Sequence, residues 1–169
     1  MVRSWRAAGI LPVFAAGTTA AGAAEGSIIV PANYPESLAV GATDEDNKLA
    51  AFSNRGPGPY PAPDDLKPEL SAPGVNIRSV QTWNPDRNRG YAFGIGTSAS
   101  APHVAGVAAL LLSDNPSLSV SQLEQLMLDA ALPLTDADYP VSPKFGYGYG
   151  FAGQRPRLPR CPGRRGPGR

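Results

Sequence analysis

The chain is poor in the residues that would place it by chemistry alone. It has one cysteine, Cys161, so no internal disulfide can form, and no metal-ligand cluster surrounds it. Histidine also occurs once, at His103. No run is long and apolar enough to span a bilayer. Acidic residues are missing from positions 151–169, which hold six arginines. The rest of the chain carries nine basic and fourteen acidic residues, so the overall charge of +1 hides an asymmetry. A basic tail of this kind is either disordered or an arm for nucleic acid or membrane. The disordered tail is the expectation, with neither nucleic acid nor membrane as partner.

What the chain has in quantity is glycine and proline, 19 of each, so much of it must be turns and loops. Its 169 residues suffice for one domain with a real core. The hydrophobic share of 42% and charged share of 17% are ordinary for a globular protein. The start, Met1-Val-Arg-Ser-Trp-Arg, followed by apolar Ala7 to Gly17 and small residues at Ala20 to Ala24, mimics an export signal. Gly9 and Pro12 interrupt that apolar stretch. They favour a short helix followed by a buried strand, Ile10 to Ala16, and a Gly-rich turn.

Ser37 to Thr43 reads as a buried strand, Asp44 to Asn47 as a turn, and Lys48 to Ser53 as a returning strand. Asn54 to Pro63 predicts a surface loop and Ser71-Ala-Pro-Gly74 a turn. Val75 to Val80 alternates like a half-buried strand. Helical spacing then predicts a helix over Ser98–Ser113, closely packed on most sides because so many of its residues are small. Pro102 is expected in its first turn and Asp114-Asn-Pro116 stops it. A second helix begins at Ser119-Val-Ser-Gln122, with Ser121 to Glu124 an overlapping start, and has Leu123, Leu126, Met127 and Ala130 as its apolar stripe.

The segment Gly94-Ile-Gly-Thr-Ser-Ala-Ser-Ala-Pro-His-Val-Ala-Gly106 carries the chemistry. A serine hydroxyl is a weak nucleophile that needs activation. At the mouth of a helix, Ser98 would sit where the N–H groups and the dipole favour negative charge. Its own N–H could serve a developing oxyanion. Gly96 would let another segment approach the backbone. On these residues alone, Ser98 as a plain N-cap stays equally open. Ser100 stands where the G-x-S-x-G elbow requires glycine, and no histidine follows far downstream, which excludes the α/β-hydrolase pattern. Gly94-x-Gly96-x-x-Ala99 matches a dinucleotide fingerprint only weakly.

Gly96-Thr-Ser-Ala-Ser-Ala-Pro-His-Val-Ala-Gly106 resembles the nucleophile signature of the subtilisin-like serine peptidases. Phe14-Ala-Ala-Gly17, Pro31 to Thr43, Phe52-Ser53, Gly56-Pro57, Lys67 to Ser79, Pro133 to Asp136 and Gly146 to Gly150 are similar to the bacillopeptidase F branch. The resemblance covers residues 1–150. It implies the C-terminal portion of a peptidase domain, with 151–169 a separate basic tail whose composition suggests a shifted reading frame. It implies an α/β fold, a partial subtilisin-like three-layer arrangement with a mostly parallel sheet flanked by helices. It also implies serine endopeptidase activity through an acyl-enzyme, Ser98 as nucleophile, an extended peptide or protein substrate, no cofactor, and export from the cell. Oligomeric state is not implied.

Two departures from the family pattern matter. The family's catalytic Asp and His motifs are absent. His103 lies roughly 140° around the helix from Ser98, so it is expected to pack rather than to act as base. Thr18 stands where the family has its oxyanion-hole asparagine, and its hydroxyl reaches less far than an amide. In subtilisin itself that donor is worth about 10²–10³ in kcat. The missing base is the larger defect, and the chain alone is expected to be inactive. The alternative is a non-catalytic remnant or peptide-binding module.

Overall fold

The computed structural model describes residues 1–58, 67–81 and 90–132. Helix α1 spans Val2–Ala7, and the strands are β1 Val13–Ala15, β2 Leu38–Thr43, β3 Leu70–Pro73, β4 Ile77–Val80 and β5 Tyr91–Gly94. Two longer helices follow, α2 Thr97–Asp114 and α3 Val120–Ala130. Strands β1, β2 and β3 form a parallel sheet in that order, with Val13 opposite Leu38 and Val40 opposite Leu70. Strands β4 and β5 form a separate antiparallel pair.

Strand β2 is buried at every residue, as its run of small and β-branched side chains predicts. Alternation sends Leu38 and Val40 to one face, where they join Leu70, Ala72, Val104, Ala108, Leu111, Leu123 and Met127 in the main core. Ala39 points the other way and packs with Ala16, Ile28 and Ala32. Helix α2 therefore lies on one face of the sheet and the 28–32 segment covers the other. Helix α3 packs on α2 through Leu123 and Met127. It starts with a capping box: Ser119 Oγ accepts from the Gln122 N–H, and the Gln122 side chain accepts from the Ser119 N–H. Arg6 ties α1 to α3 through Glu124.

Several expectations need correction. The first strand begins only after Pro12 and is half-buried, and Ile10 is exposed. Lys48 to Ser53 is no strand; two isolated bridges, Thr43 with Leu49 and Thr18 with Ser53, remain. The Asp44 carboxylate accepts from Asp46 and Lys48 N–H groups, and the chain turns again at once, Ser53 N–H bonding to Ala50 O. Asn54 is buried rather than looped outward because its side chain and its N–H are engaged. Its side chain donates to Ser27 O and accepts from the Thr19 hydroxyl, and its N–H meets Gly17 O.

Ser71-Ala-Pro73 belongs to strand β3, because pairing with β2 outweighs its turn-like composition. Strand β4 is mostly exposed, without the expected alternation. Helix α2 buries one face only: Ala105, Gly106, Ala109 and Leu110 are exposed. Pro102 sits in its second turn, six residues in, so it offers no N–H to the Ser98 carbonyl. Residues 59–63 of the expected loop, positions 133–150 of the resemblance and the 151–169 tail lie outside the described residues.

Candidate active site

The carboxyl ends of the three parallel strands meet the N-terminus of α2, the place where open α/β sheets present their chemistry. Backbone bonds build the junction. Gly74 N–H donates to Thr43 O at 2.9 Å, and Gly96 N–H donates to Gly74 O at 2.8 Å. The last turn of β3 is thus clamped between the end of β2 and the start of α2. Gly74 has to be glycine here, since a Cβ would meet Ser100 Oγ, Ala42 Cβ and Gly96 O.

Gly96 is the N-cap, with φ at 138°, a conformation that side chains rarely adopt. It has no side chain to cap the helix. Thr97 is the first helical residue and is fully buried. Ser98 is second and exposed to solvent. This placement removes the plain N-cap alternative: the cap falls two positions earlier, at Gly96, and Ser98 is exposed. Among the described residues no hydrogen bond engages the Ser98 N–H.

Thr18 comes to the same junction from the turn after β1, bridged to Ser53. Its Oγ1 accepts from the Thr97 N–H at 3.1 Å and lies 3.1 Å from Thr97 Oγ1. Thr97 Oγ1 in turn accepts from the Gly17 N–H at 3.1 Å. A Cβ on Gly96 would stand 3.3 Å from Thr18 Oγ1 and 3.8 Å from Ser98 N. The absent side chain of Gly96 therefore leaves a gap with the Thr18 hydroxyl on one side and the Ser98 N–H on the other. The two residues singled out from the sequence, Thr18 and Ser98, thus lie at one junction, and Thr97, which sequence reading missed, links them. The signal for Thr97 was its place beside Ser98; nothing local marked it as a partner of a residue 79 positions away.

His103 does not join them. Its Nδ1 lies 2.8 Å from Ala99 O, one helical turn back, and a carbonyl can only accept, so the ring donates there. Strand β5 does precede the Gly94-x-Gly96 segment, but it pairs antiparallel with β4 rather than within a βαβ unit, so the dinucleotide pattern lacks its setting.

A second buried polar cluster lies at the other end of the sheet. Lys67 is fully buried; its Nζ donates to Ser37 O at 2.7 Å and pairs with the Glu69 carboxylate. Glu69 Oε2 accepts from the Ala39 N–H at 2.8 Å. Burial pushes the Glu69 carboxyl up to about 7, opposed by the attraction of Lys67 and by the hydrogen bonds it accepts.

Comparison with known proteins places this architecture. Residues 1–150 match the subtilase family. The chain is 52% identical to bacillopeptidase F of Bacillus subtilis (strain 168), covering 89% of this chain and 10% of that protein. It is 40% identical to the minor extracellular protease Vpr of the same organism, over 62% of this chain and 13% of that one. Among solved structures, sphericase superposes with a TM-score of 0.74 at 29% identity, over 89% of this chain and 51% of its own. The chain thus spans at most about half the length of these relatives.

Proposed function

The chain belongs to the subtilase family, and from that premise we propose that it is the nucleophile-bearing portion of a serine endopeptidase. The observation that carries this reading is the exposed Ser98 at the second position of α2, its N–H without a hydrogen bond among the described residues, beside the gap that Gly96 leaves toward Thr18.

In this reading Ser98 Oγ attacks the carbonyl of an extended peptide. A histidine outside this chain accepts the hydroxyl proton and then delivers it to the leaving amine. The acyl-enzyme that forms on Ser98 is released by water. The Ser98 N–H faces the developing oxyanion, in a helix N-terminus that favours negative charge. Thr18 occupies the family's asparagine position, but its hydroxyl is already engaged by two atoms of Thr97. The oxyanion is therefore less well served than in a site with the amide. A relative named as an extracellular protease supports an extracellular setting.

The second reading is a non-catalytic remnant or peptide-binding module. It is favoured by His103, the one histidine in the sequence, being bonded to its own helix. A fluorophosphonate probe separates the two. The chain alone is expected to stay unlabelled. Mixed with a separately expressed subtilase segment bearing the Asp and His motifs, it is expected to label at Ser98 and to lose the label in Ser98→Ala. Absence of labelling in that mixture would overturn the endopeptidase reading.

A further inference from the structure

The four leading N–H groups of a helix have no intrahelical acceptor and must find one elsewhere. Helix α2 is deprived of the usual solution, because its N-cap is Gly96 and no side chain of its own caps it. The Ala99 N–H turns back to Gly96 O at 3.0 Å. The Thr97 N–H goes instead to Thr18 Oγ1, supplied by a different segment of the chain. The same hydroxyl meets Thr97 Oγ1, which also receives the Gly17 N–H. Three contacts thus fasten Gly17 and Thr18 to Thr97, the residue directly before Ser98.

We infer that Thr18 is a positioning residue: its hydroxyl caps α2 from the β1 turn and fixes where the neighbouring Ser98 stands. This rests on Ser98 being the nucleophile, but the geometry holds whatever Ser98 does. The arrangement is selective. The Thr97 N–H and the Ala99 N–H are both satisfied, while the Ser98 N–H between them has no hydrogen bond among the described residues. Whichever of the two hydroxyls donates to the other, Thr18 Oγ1 remains the acceptor for Thr97. Thr18 is itself exposed, so its role lies in the hydroxyl rather than in filling space.

The test is amide hydrogen exchange of the full 169-residue chain followed by NMR. In Thr18→Val, which keeps the shape and removes the hydroxyl, exchange at Thr97 is expected to accelerate by about five- to thirtyfold, the range of a lost helix cap. Exchange at Val40 and Leu70 should not change, and Thr18→Ser should restore protection at Thr97. Thr18→Ala reads the same bond if the valine variant loses cooperative unfolding. A change below about twofold at Thr97, an equal acceleration at Val40 and Leu70, or failure of serine to restore protection would overturn the inference. Exchange at Thr97 is read without any reaction at Ser98. An unlabelled Ser98 therefore leaves this inference standing, and loss of this inference leaves the nucleophile reading intact.

Discussion

Lys67 and Glu69 sit two residues apart in the bend that leads into β3, and both reach the start of β2. The ammonium takes Ser37 O and the carboxylate takes the Ala39 N–H, on either side of Leu38. Backbone pairing between these strands starts only at Val40 and Leu70. The two side chains therefore continue the ladder beyond the point where main-chain groups stop meeting, and their mutual contact closes it.

That pair gives the fold a pH dependence of defined sign. The Glu69 carboxyl is raised to about 7 from 4.5. Between those values the unfolded chain has released the proton and the folded chain still holds it. Stability from this group is therefore greatest below about 4.5, falls as pH rises to about 7, and is level above. Urea denaturation across that range should show the decline, and Glu69→Gln should flatten it. Any cost of the same variant should be larger below pH 4.5 than at pH 8, because an amide is spared the penalty of ionising a buried carboxyl. A profile of Glu69→Gln that still falls between these pH values would remove Glu69 as its source.

Gly74 and Gly106 should respond in opposite directions to alanine. At Gly74 the new methyl meets Ala42 Cβ at 2.6 Å and Gly96 O at 2.9 Å, as well as Ser100 Oγ. Gly74→Ala is expected to cost about 1–3 kcal/mol. At Gly106, mid-helix and exposed, nothing lies within 4 Å, and alanine should gain up to about 1 kcal/mol from helix propensity. Paired thermal melts would check both signs.

Helix α3 is held by few contacts, so truncations there should be costly. Leu123→Ala is expected to lose about 2–5 kcal/mol from a position 2% exposed in the main core. Ser119→Ala, which removes one half of the capping box, should cost about 1 kcal/mol. Chemical denaturation of the two single variants and the double variant would measure both.

His103→Ala should weaken the fold by about 1 kcal/mol, the net value of one hydrogen bond. Probe labelling of Ser98 in the complemented mixture should keep its rate. A large loss of labelling with the fold intact would make His103 part of the chemistry.

The sequence made the centre of this fold legible and its periphery much less so. Strand β2 could be read because burial on both faces leaves a continuous run from Leu38 to Thr43. Helix α2 was legible because its motif is long. Strand β3 was mistaken for a turn: Ser71, Pro73 and Gly74 have turn chemistry, and only a neighbouring strand far away in sequence makes them extended. The one-sided burial of α2 was hidden by its composition, since small residues look alike whether covered or bare. Nor does a lysine announce its own burial. Only the carbonyl of Ser37 and the N–H of Ala39, far away in sequence, give Lys67 and Glu69 their buried partners.

Because Ser98 lies inside the helix rather than at its cap, its main chain has no freedom left to lose when a substrate or a catalytic partner arrives. What remains variable is a single torsion with three staggered wells. Choosing one of three equal wells costs less than about 1 kcal/mol. Ordering even one loop residue would cost about 1–2 kcal/mol. A base that reaches this site therefore meets a Ser98 hydroxyl needing only a rotation to be ready.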